Sequence, residues 1–418
     1  MSDGARKAVQ DRPFPIGRRR VLGGGLAGVG ILLAGGVGGL PRAALAQDIR
    51  FLQIGTGTTG GTYFLIGGLL ANAVSNPPGS RPCDRGGSCG VPGLIAVAQS
   101  TSGAVENVIA MRDGRMETGL VQADIAFAAL RGKGPFADAP PFETLRSIAN
   151  LYPETIHLVV RADGPVHTVA ELKGRRVALG ERGSGTLVSA RALLEAHGLS
   201  ERTVQPVYLS PGAASDRLIA GEVDAYFIIG GYPLPAVADL AQRLPIRLVP
   251  LAPAEGEATP VGLPMFTPAT IEDGAYPDVA GVRSLSVGAQ WCVRADIDAE
   301  LVHGLTAALW HPTTAKLLEV HPRGASIHPD RALAGLAAPL HPGAERYYRE
   351  SGLIGETASV ELATPPDAPP AAAGSGPGDG PKLDGATMEK GDVRAPKPKP
   401  KPDPASAAKP GAAPGGTP

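Results

Sequence analysis

Hydrophobic and polar positions along this 418-residue chain switch repeatedly between two periods. Asp48–Gly55 (DIRFLQIG) alternates as a half-buried strand, and after a Gly/Thr-rich turn Phe64–Asn76 (FLIGGLLANAVSN) recurs at helical spacing. The segments 94–100 (LIAVAQS), 103–114 (GAVENVIAMRDG) and 118–124 (TGLVQAD) then read as strand, helix and strand. A further strand at 157–163 (HLVVRAD) opens a second series. In it, 168–199 carries a helix, a strand, a Gly-rich loop and a helix, followed by a strand at 204–210, a helix at 212–223 and a strand at 224–231. Strands alternating with helices predict α/β units built on parallel sheets, with a Gly-rich turn before a helix in each unit.

Two segments share Val-Arg-Ala-Asp, at 160–163 and 293–296, on either side of the second series. One reading has the chain leave a first lobe near 160 and return near 290, so that two connecting strands form a hinge. The other is coincidence of a short tetrapeptide. Arg161 and Arg294 are accordingly either cleft residues or solvated strand ends. The expected organisation is a first lobe at 47–160, a second at 161–285, a return to the first at 286–357 and a tail at 358–418.

The termini read differently. Residues 1–46 place Arg18, Arg19 and Arg20 before an uncharged stretch, Val21–Leu40, and a small-residue cleavage signal at Ala44-x-Ala46. The pattern is that of a twin-arginine export signal; an uncleaved membrane anchor is the alternative. The tail from Ala358 has 14 prolines and no aromatic residue, too little apolar surface to offset the entropy of ordering, which predicts disorder. A Pro-Lys spacer reaching cell wall or an anionic membrane surface is the second reading of it.

Charge adds an exclusion: 39 basic and 40 acidic residues nearly cancel, leaving no broad positive surface for nucleic acid. Of three cysteines, Cys83 and Cys89 bracket a short Gly-rich loop that suits a disulfide outside the cytoplasm, and Cys292 is left over in an apolar strand. A metal site is the rival, but only His321 and His328 fall even loosely near each other, and neither H-E-x-x-H nor a second C-x-x-C occurs. No metal or cofactor is expected.

The loop after the first strand, Gly55-Thr-Gly-Thr-Thr-Gly60-Gly61-Thr62, fits two phosphate-binding patterns and fails both. No acidic residue follows at the distance a dinucleotide ribose requires, and Gly61 stands where a P-loop needs lysine. What remains is the shared physics: backbone N–H groups, threonine hydroxyls and the positive end of the next helix favour an anion. Gly183–Thr186 repeats the arrangement in the second series. A tight turn that needs glycine for geometry alone is the plain alternative for either loop. Gly86-x-Ser88-x-Gly90 matches a hydrolase nucleophile elbow, but it follows prolines and Cys83 rather than a strand, so no catalytic residue is assigned.

IGTGTTGGTYFLIGGLLA, STSGAVENVIAMRDGRMETGLVQADIA, LYPETIHLVVRAD, LKGRRVALGERGSGTLVSARALLEAHGL, GEVDAYFIIGGYP and PLHPGAERYYRESG, in that order from about Ile49 to Gly352, together resemble the TAXI family of TRAP transporter solute receptors. The resemblance implies a two-lobed, hinged fold of the type II periplasmic binding protein kind. It also implies a monomeric periplasmic protein without enzyme activity that carries a small carboxylate, such as glutamate, glutamine or a related dicarboxylate, to a TRAP permease. A receptor subunit that reports its ligand to a sensor uses the same closing lobes. By position, Gly57, Thr58, Thr59, Gly60, Gly61, Thr62 and Tyr63 would supply ligand contacts, with Tyr63 packing on the carbon chain. Ser102, Asn107 and Gln122 would bind a carboxylate or amino group, and Asp124 would pair with an ammonium or cap the next helix. Ser184, Gly185 and Thr186 would face them from the second lobe, with Tyr232 at the rim.

Overall fold

In the computed structural model, which describes residues 48–252, 263, 265–355 and 357–363, twelve strands and ten α-helices are assigned. The first half contains β1 (Arg50–Gly55), α1 (Thr62–Val74), β2 (Ser75–Asn76), β3 (Val91–Pro92), β4 (Leu94–Gln99), α2 (Ala104–Arg112), β5 (Thr118–Gln122), α3 (Ala123–Leu130) and the long β6 (Leu145–Arg161). The second contains β7 (Arg176–Ala178), α4 (Gly185–Ala196), β8 (Gln205–Val207), α5 (Pro211–Ile219), β9 (Ala225–Gly230), α6 (Pro235–Arg243), β10 (Ile246–Leu248) and β11 (Thr267–Ile271). The chain returns through the long β12 (Val282–Arg294) and closes with α7 (Ala299–Leu309), α8 (Pro312–Leu318), α9 (Pro322–Ala325) and α10 (Pro342–Glu350). The proposed export signal, and the tail from 364 onward, lie outside the described residues.

The strand order β4-β1-β5-β12-β6-β9-β7-β8 contains the same pattern twice. On one side β4, β1 and β5 run parallel, with β12 antiparallel beside β5; on the other β8, β7 and β9 run parallel, with β6 antiparallel beside β9. Each lobe is therefore an α/β unit of order second-first-third strand, completed by one of the two long strands. This is the two-lobed α/β architecture expected from the sequence.

β6 and β12 also pair with each other, from Leu145 opposite Arg294 to Thr155 opposite Ser286, and they change outer partners where they cross. Residues 289–293 of β12 hold β5, and residues 155–160 of β6 hold β9. Pro153 lies at this exchange, where its missing N–H removes no bond from either lobe's central ladder. The repeated tetrapeptide forms the same local turn twice: Arg161 pairs with Asp163 at 3.0 Å and Arg294 with Asp296 at 2.8 Å. Both arginines are strand-end residues and neither lines the cleft described below.

One apolar core runs from the first lobe, including Leu52, Ile66, Leu120 and Trp291, to the α4 side of the second lobe at Leu187 and Leu194. A second core packs α5 and α6 on the other face through Leu218, Tyr226, Val237 and Tyr276. The helix expected before Arg176 is a single 3-10 turn, Val169–Leu172, closed by a Thr168/Glu171 capping box and ended within two residues by Gly174 at φ 74°. The first residues of the segment read as tail are packed: Ala363 N donates to Leu336 O at 2.8 Å, and Val360 and Leu362 rest on the core.

Cys83 and Cys89 form a disulfide in the β2–β3 connection. The Cys83 sulfur lies 3.8 Å from His311 Nε2, so the histidine nearest the cysteines is one that sequence spacing did not suggest. With the sulfurs joined, the thiolates a metal would need are absent. Ser88, the serine of the elbow-like motif, donates to Ser75 O within this loop, and no helix follows it. No helix among the described residues is long and apolar enough to cross a membrane.

Candidate functional site

The two Gly-rich turns meet across one narrow cleft at the β6–β12 crossover. From the first lobe it is lined by Gly57, Thr58, Gly61, Thr62 and Tyr63 at the start of α1, by Ser102, Gly103 and Ala104 at the start of α2, and by Gln122 at the end of β5. Glu154 on β6 forms its base. From the second lobe come Gly180, Glu181, Ser184, Gly185 and Thr186 before and at the start of α4, Pro211 at the start of α5, and an apolar wall of Leu209 and Phe227–Ile229. The free volume is about 60 Å³. A roomier open depression, about 540 Å³, lies between Leu333–Gly335 and residues 353–363, but none of these helix starts reaches it.

The lobes touch around this space. Glu106 N donates to Gly183 O at 3.0 Å, and Thr62 Oγ1 donates to Gly231 O at 2.6 Å. Glycine keeps two of the contacts close. Gly183 has φ 88° and faces Ser102, and a Cβ on Gly185 would fall 1.3 Å from Gln122 Oε1.

Five helices begin here, and the first N–H groups of a helix have no partner within it. Some local donors are committed. Ser184, the N-cap of α4, accepts from Leu187 N at 3.1 Å and donates to Glu181 O at 2.7 Å, while Thr186 Oγ1 accepts from Ile229 N at 3.3 Å. What α4 offers the cleft is thus its first N–H groups rather than a free Ser184 hydroxyl. The Thr58 and Ser102 hydroxyls have no protein partner among the described residues. Nor does the Nε2 of Gln122, a side chain that is only 2% exposed.

Glu154 is the residue that sequence reading passed over. It is 2% exposed and accepts a 2.6 Å hydrogen bond from the Tyr63 hydroxyl. Burial pushes its carboxyl up to about 8, against the lowering effect of the Tyr63 bond and with a further raising contribution from Asp124. The signal was available: a lone carboxylate inside the otherwise buried run LYPETIHLVV. Tyr63, expected to pack on a ligand chain, instead spends its hydroxyl on this carboxyl while its ring lines the cleft.

Several expected contacts lie elsewhere. Thr59 and Gly60 are in the α1 turn but do not line the cleft; Gly60 packs on Pro211 and Ala236 of the opposite lobe. Asn107 is fully buried behind it, donating to Thr56 O at 2.7 Å and Leu120 O at 2.8 Å and accepting from Thr101 at 2.8 Å, so it ties α2 to two strands. Asp124 sits in the first turn of α3, whose N-cap is Gln122; burial pushes it up to about 7, and its Oδ1 has no partner among the described residues. Tyr232 donates to Thr270 O at 2.9 Å and carries the Arg323 guanidinium 3.8 Å above its ring, outside the lining.

Comparison with known proteins gives the following. The chain is 34% identical to a putative aliphatic sulfonates-binding protein of Escherichia coli (strain K12) over 107 residues, 24% of this chain. It thus spans about a third (33%) of the length of that curated relative. Among solved structures, the periplasmic aliphatic sulphonate binding protein SsuA from Escherichia coli aligns with 67% of this chain and 80% of its own at 16% identity and a TM-score of 0.37. An ancestral arginine-binding protein bound to arginine aligns with 65% of this chain and 99% of its own at 12% identity and a TM-score of 0.39. The model of the NMT1-like family matches residues 54–352, well over half of the sequence and all of the cleft, and the chain is a member of that family.

Proposed function

We propose that this protein is an exported solute-binding protein that captures a small organic acid in the cleft and delivers it to a membrane permease. The observation that carries this reading is the convergence of glycine-rich helix starts from two lobes on one space, beside the unpartnered Gln122 amide. Backbone N–H groups and helix dipoles favour an anionic head group there. Two lobes joined by a pair of crossing strands suit closure around a ligand, with the β6–β12 exchange as hinge. The lobes divide at that exchange.

Two head groups fit N–H donors of this kind. The resemblance to TAXI receptors favours a carboxylate, glutamate, glutamine or a related dicarboxylate, delivered in the periplasm to a TRAP permease by a monomeric receptor. The 107-residue likeness to a putative aliphatic sulfonates-binding protein favours a sulfonate.

A thermal-shift screen of the purified chain against amino acids, dicarboxylates, 2-oxo acids and aliphatic sulfonates tests the proposal, because a ligand that binds only the folded form raises Tm with concentration. A hit in either acid class supports the reading and selects the head group. No shift with any acid of either class contradicts it.

A further inference from the structure

The cleft suits an anion by its helix starts, yet its ionisable side chains carry the opposite message. Its lining contains two carboxyl groups, Glu154 and Glu181, and no lysine, arginine or histidine. Glu154 is buried at the base, and the unpartnered Gln122 amide lies in the same space. The titratable and charged groups around Glu154 are Tyr63 on α1, Asp124 on α3, Tyr152 on β6 and Glu181 before α4, with Glu106 of α2 acting on Glu181. Arg323 on α9, the cation that acts on the neighbouring Tyr152, is committed to Tyr232, whose carbonyl accepts from its Nε at 2.5 Å and whose ring lies under its guanidinium. No ion pair to Glu154 exists among the described residues.

A buried carboxyl facing ligand space without a cation either stays neutral or meets a positive charge brought by the ligand. We propose that Glu154 is the counter-ion for a primary ammonium group of the solute. The solute is then a zwitterion, its acid end on the helix starts and the Gln122 amide and its nitrogen against Glu154. This inference rests on the binding reading above and narrows its ligand class.

The proton balance follows. Burial and Asp124 keep Glu154 protonated in the empty cleft at neutral pH, despite the Tyr63 bond. When R–NH3+ arrives, Glu154–COOH passes its proton to the buffer and becomes the carboxylate of the ion pair; no other bond changes. Affinity therefore rises with pH up to about 8, where the empty site is itself ionised, and by at most about tenfold per pH unit.

The test is calorimetric titration of the full chain with two matched pairs: glutamate against glutarate, and 2-aminoethanesulfonate against ethanesulfonate, each in two buffers of different ionisation heat. The expected result is that an amine-bearing acid binds at least about tenfold tighter than its amine-free partner, with close to one proton released per ligand at neutral pH. Glu154→Gln should narrow that preference and abolish the proton release. Tyr63→Phe, which leaves the carboxyl in place without its donor, should move the pH dependence upward and serves if the glutamine variant fails to fold. An amine-free acid that binds as tightly as its amine-bearing partner, or an unchanged preference in Glu154→Gln, overturns the role of Glu154 and leaves the binding reading intact. Binding by none of the four, with thermal-shift hits confined to amine-free acids, likewise overturns the role of Glu154 alone; no response to any acid in either assay overturns both.

Discussion

Tyr63, in the first turn of α1, donates its hydroxyl to Glu154 on β6 across 2.6 Å, and this bond joins the glycine-rich turn of the first lobe to the strand that crosses into the second. Position and charge meet here, because Glu154 stands beside the point where β6 exchanges its outer neighbours.

The first prediction concerns stability against pH. The Glu154 carboxyl is raised from 4.5 to about 8, so its contribution favours folding while it is neutral in both states, and is lost as pH rises from about 4.5 to about 8 because only the unfolded chain ionises freely. Glu154→Gln should therefore raise stability at pH 7 by on the order of 3 kcal/mol and leave it nearly unchanged at pH 4. Thermal or urea denaturation at the two pH values reads this out; equal effects at both would show that burial does not hold the proton.

Gly185 gives a test of closure. A methyl at this position meets the buried Gln122 side chain only when the lobes are together, since the two residues belong to opposite lobes. Gly185→Ala should weaken ligand binding by about tenfold or more, the equivalent of 1.4 kcal/mol or more, in the protein that remains folded. Titration alongside a melting curve separates lost affinity from lost fold.

Asn107 should behave in the opposite way. Its side chain satisfies two buried carbonyls and a threonine hydroxyl behind the cleft, so Asn107→Ala should cost about 2–3 kcal/mol of stability without changing the affinity of the protein that remains folded. Denaturant unfolding and a titration at low temperature measure these.

The disulfide closes a loop with a sequence separation of 6, at the side of the first lobe and away from the lining. Replacing both cysteines by serine should lower stability by about 2 kcal/mol and leave affinity unaltered.

Much of the architecture was legible because each unit declares itself locally. Residues 50–55 alternate and 64–74 recur at helical spacing, and the glycines that separate them are where the chain must turn tightly. The twin Val-Arg-Ala-Asp segments take the same local form, each arginine folding onto the aspartate two residues on. The 17-residue span of β6 was not legible: its first half, around Leu145–Leu151, interrupts the apolar pattern with Arg146, Ser147 and Asn150, and its continuity through Pro153 depends on two partner strands of the one sheet, β12 along its first part and β9 along its last. Within the site, the backbone loops could be read from their glycines, but side-chain commitments could not. Whether Ser184 caps its own helix, or Asn107 faces inward, is decided by the packing of neighbouring strands. Glu154 escaped notice because a carboxylate in a strand ordinarily faces water, and only the crossover turns this one into the cleft.

Direct assay of solute capture at the paired helix starts uses the two cleft hydroxyls that have no protein partner among the described residues. Thr58→Ala and Ser102→Ala remove those hydroxyls without breaking a bond within the fold. Calorimetric titration of the full chain with the acid selected by thermal shift should give saturable one-to-one binding that the double variant weakens by about tenfold or more, with an unchanged ligand-free Tm. Equal affinity in the wild type and the double variant would contradict capture in this cleft.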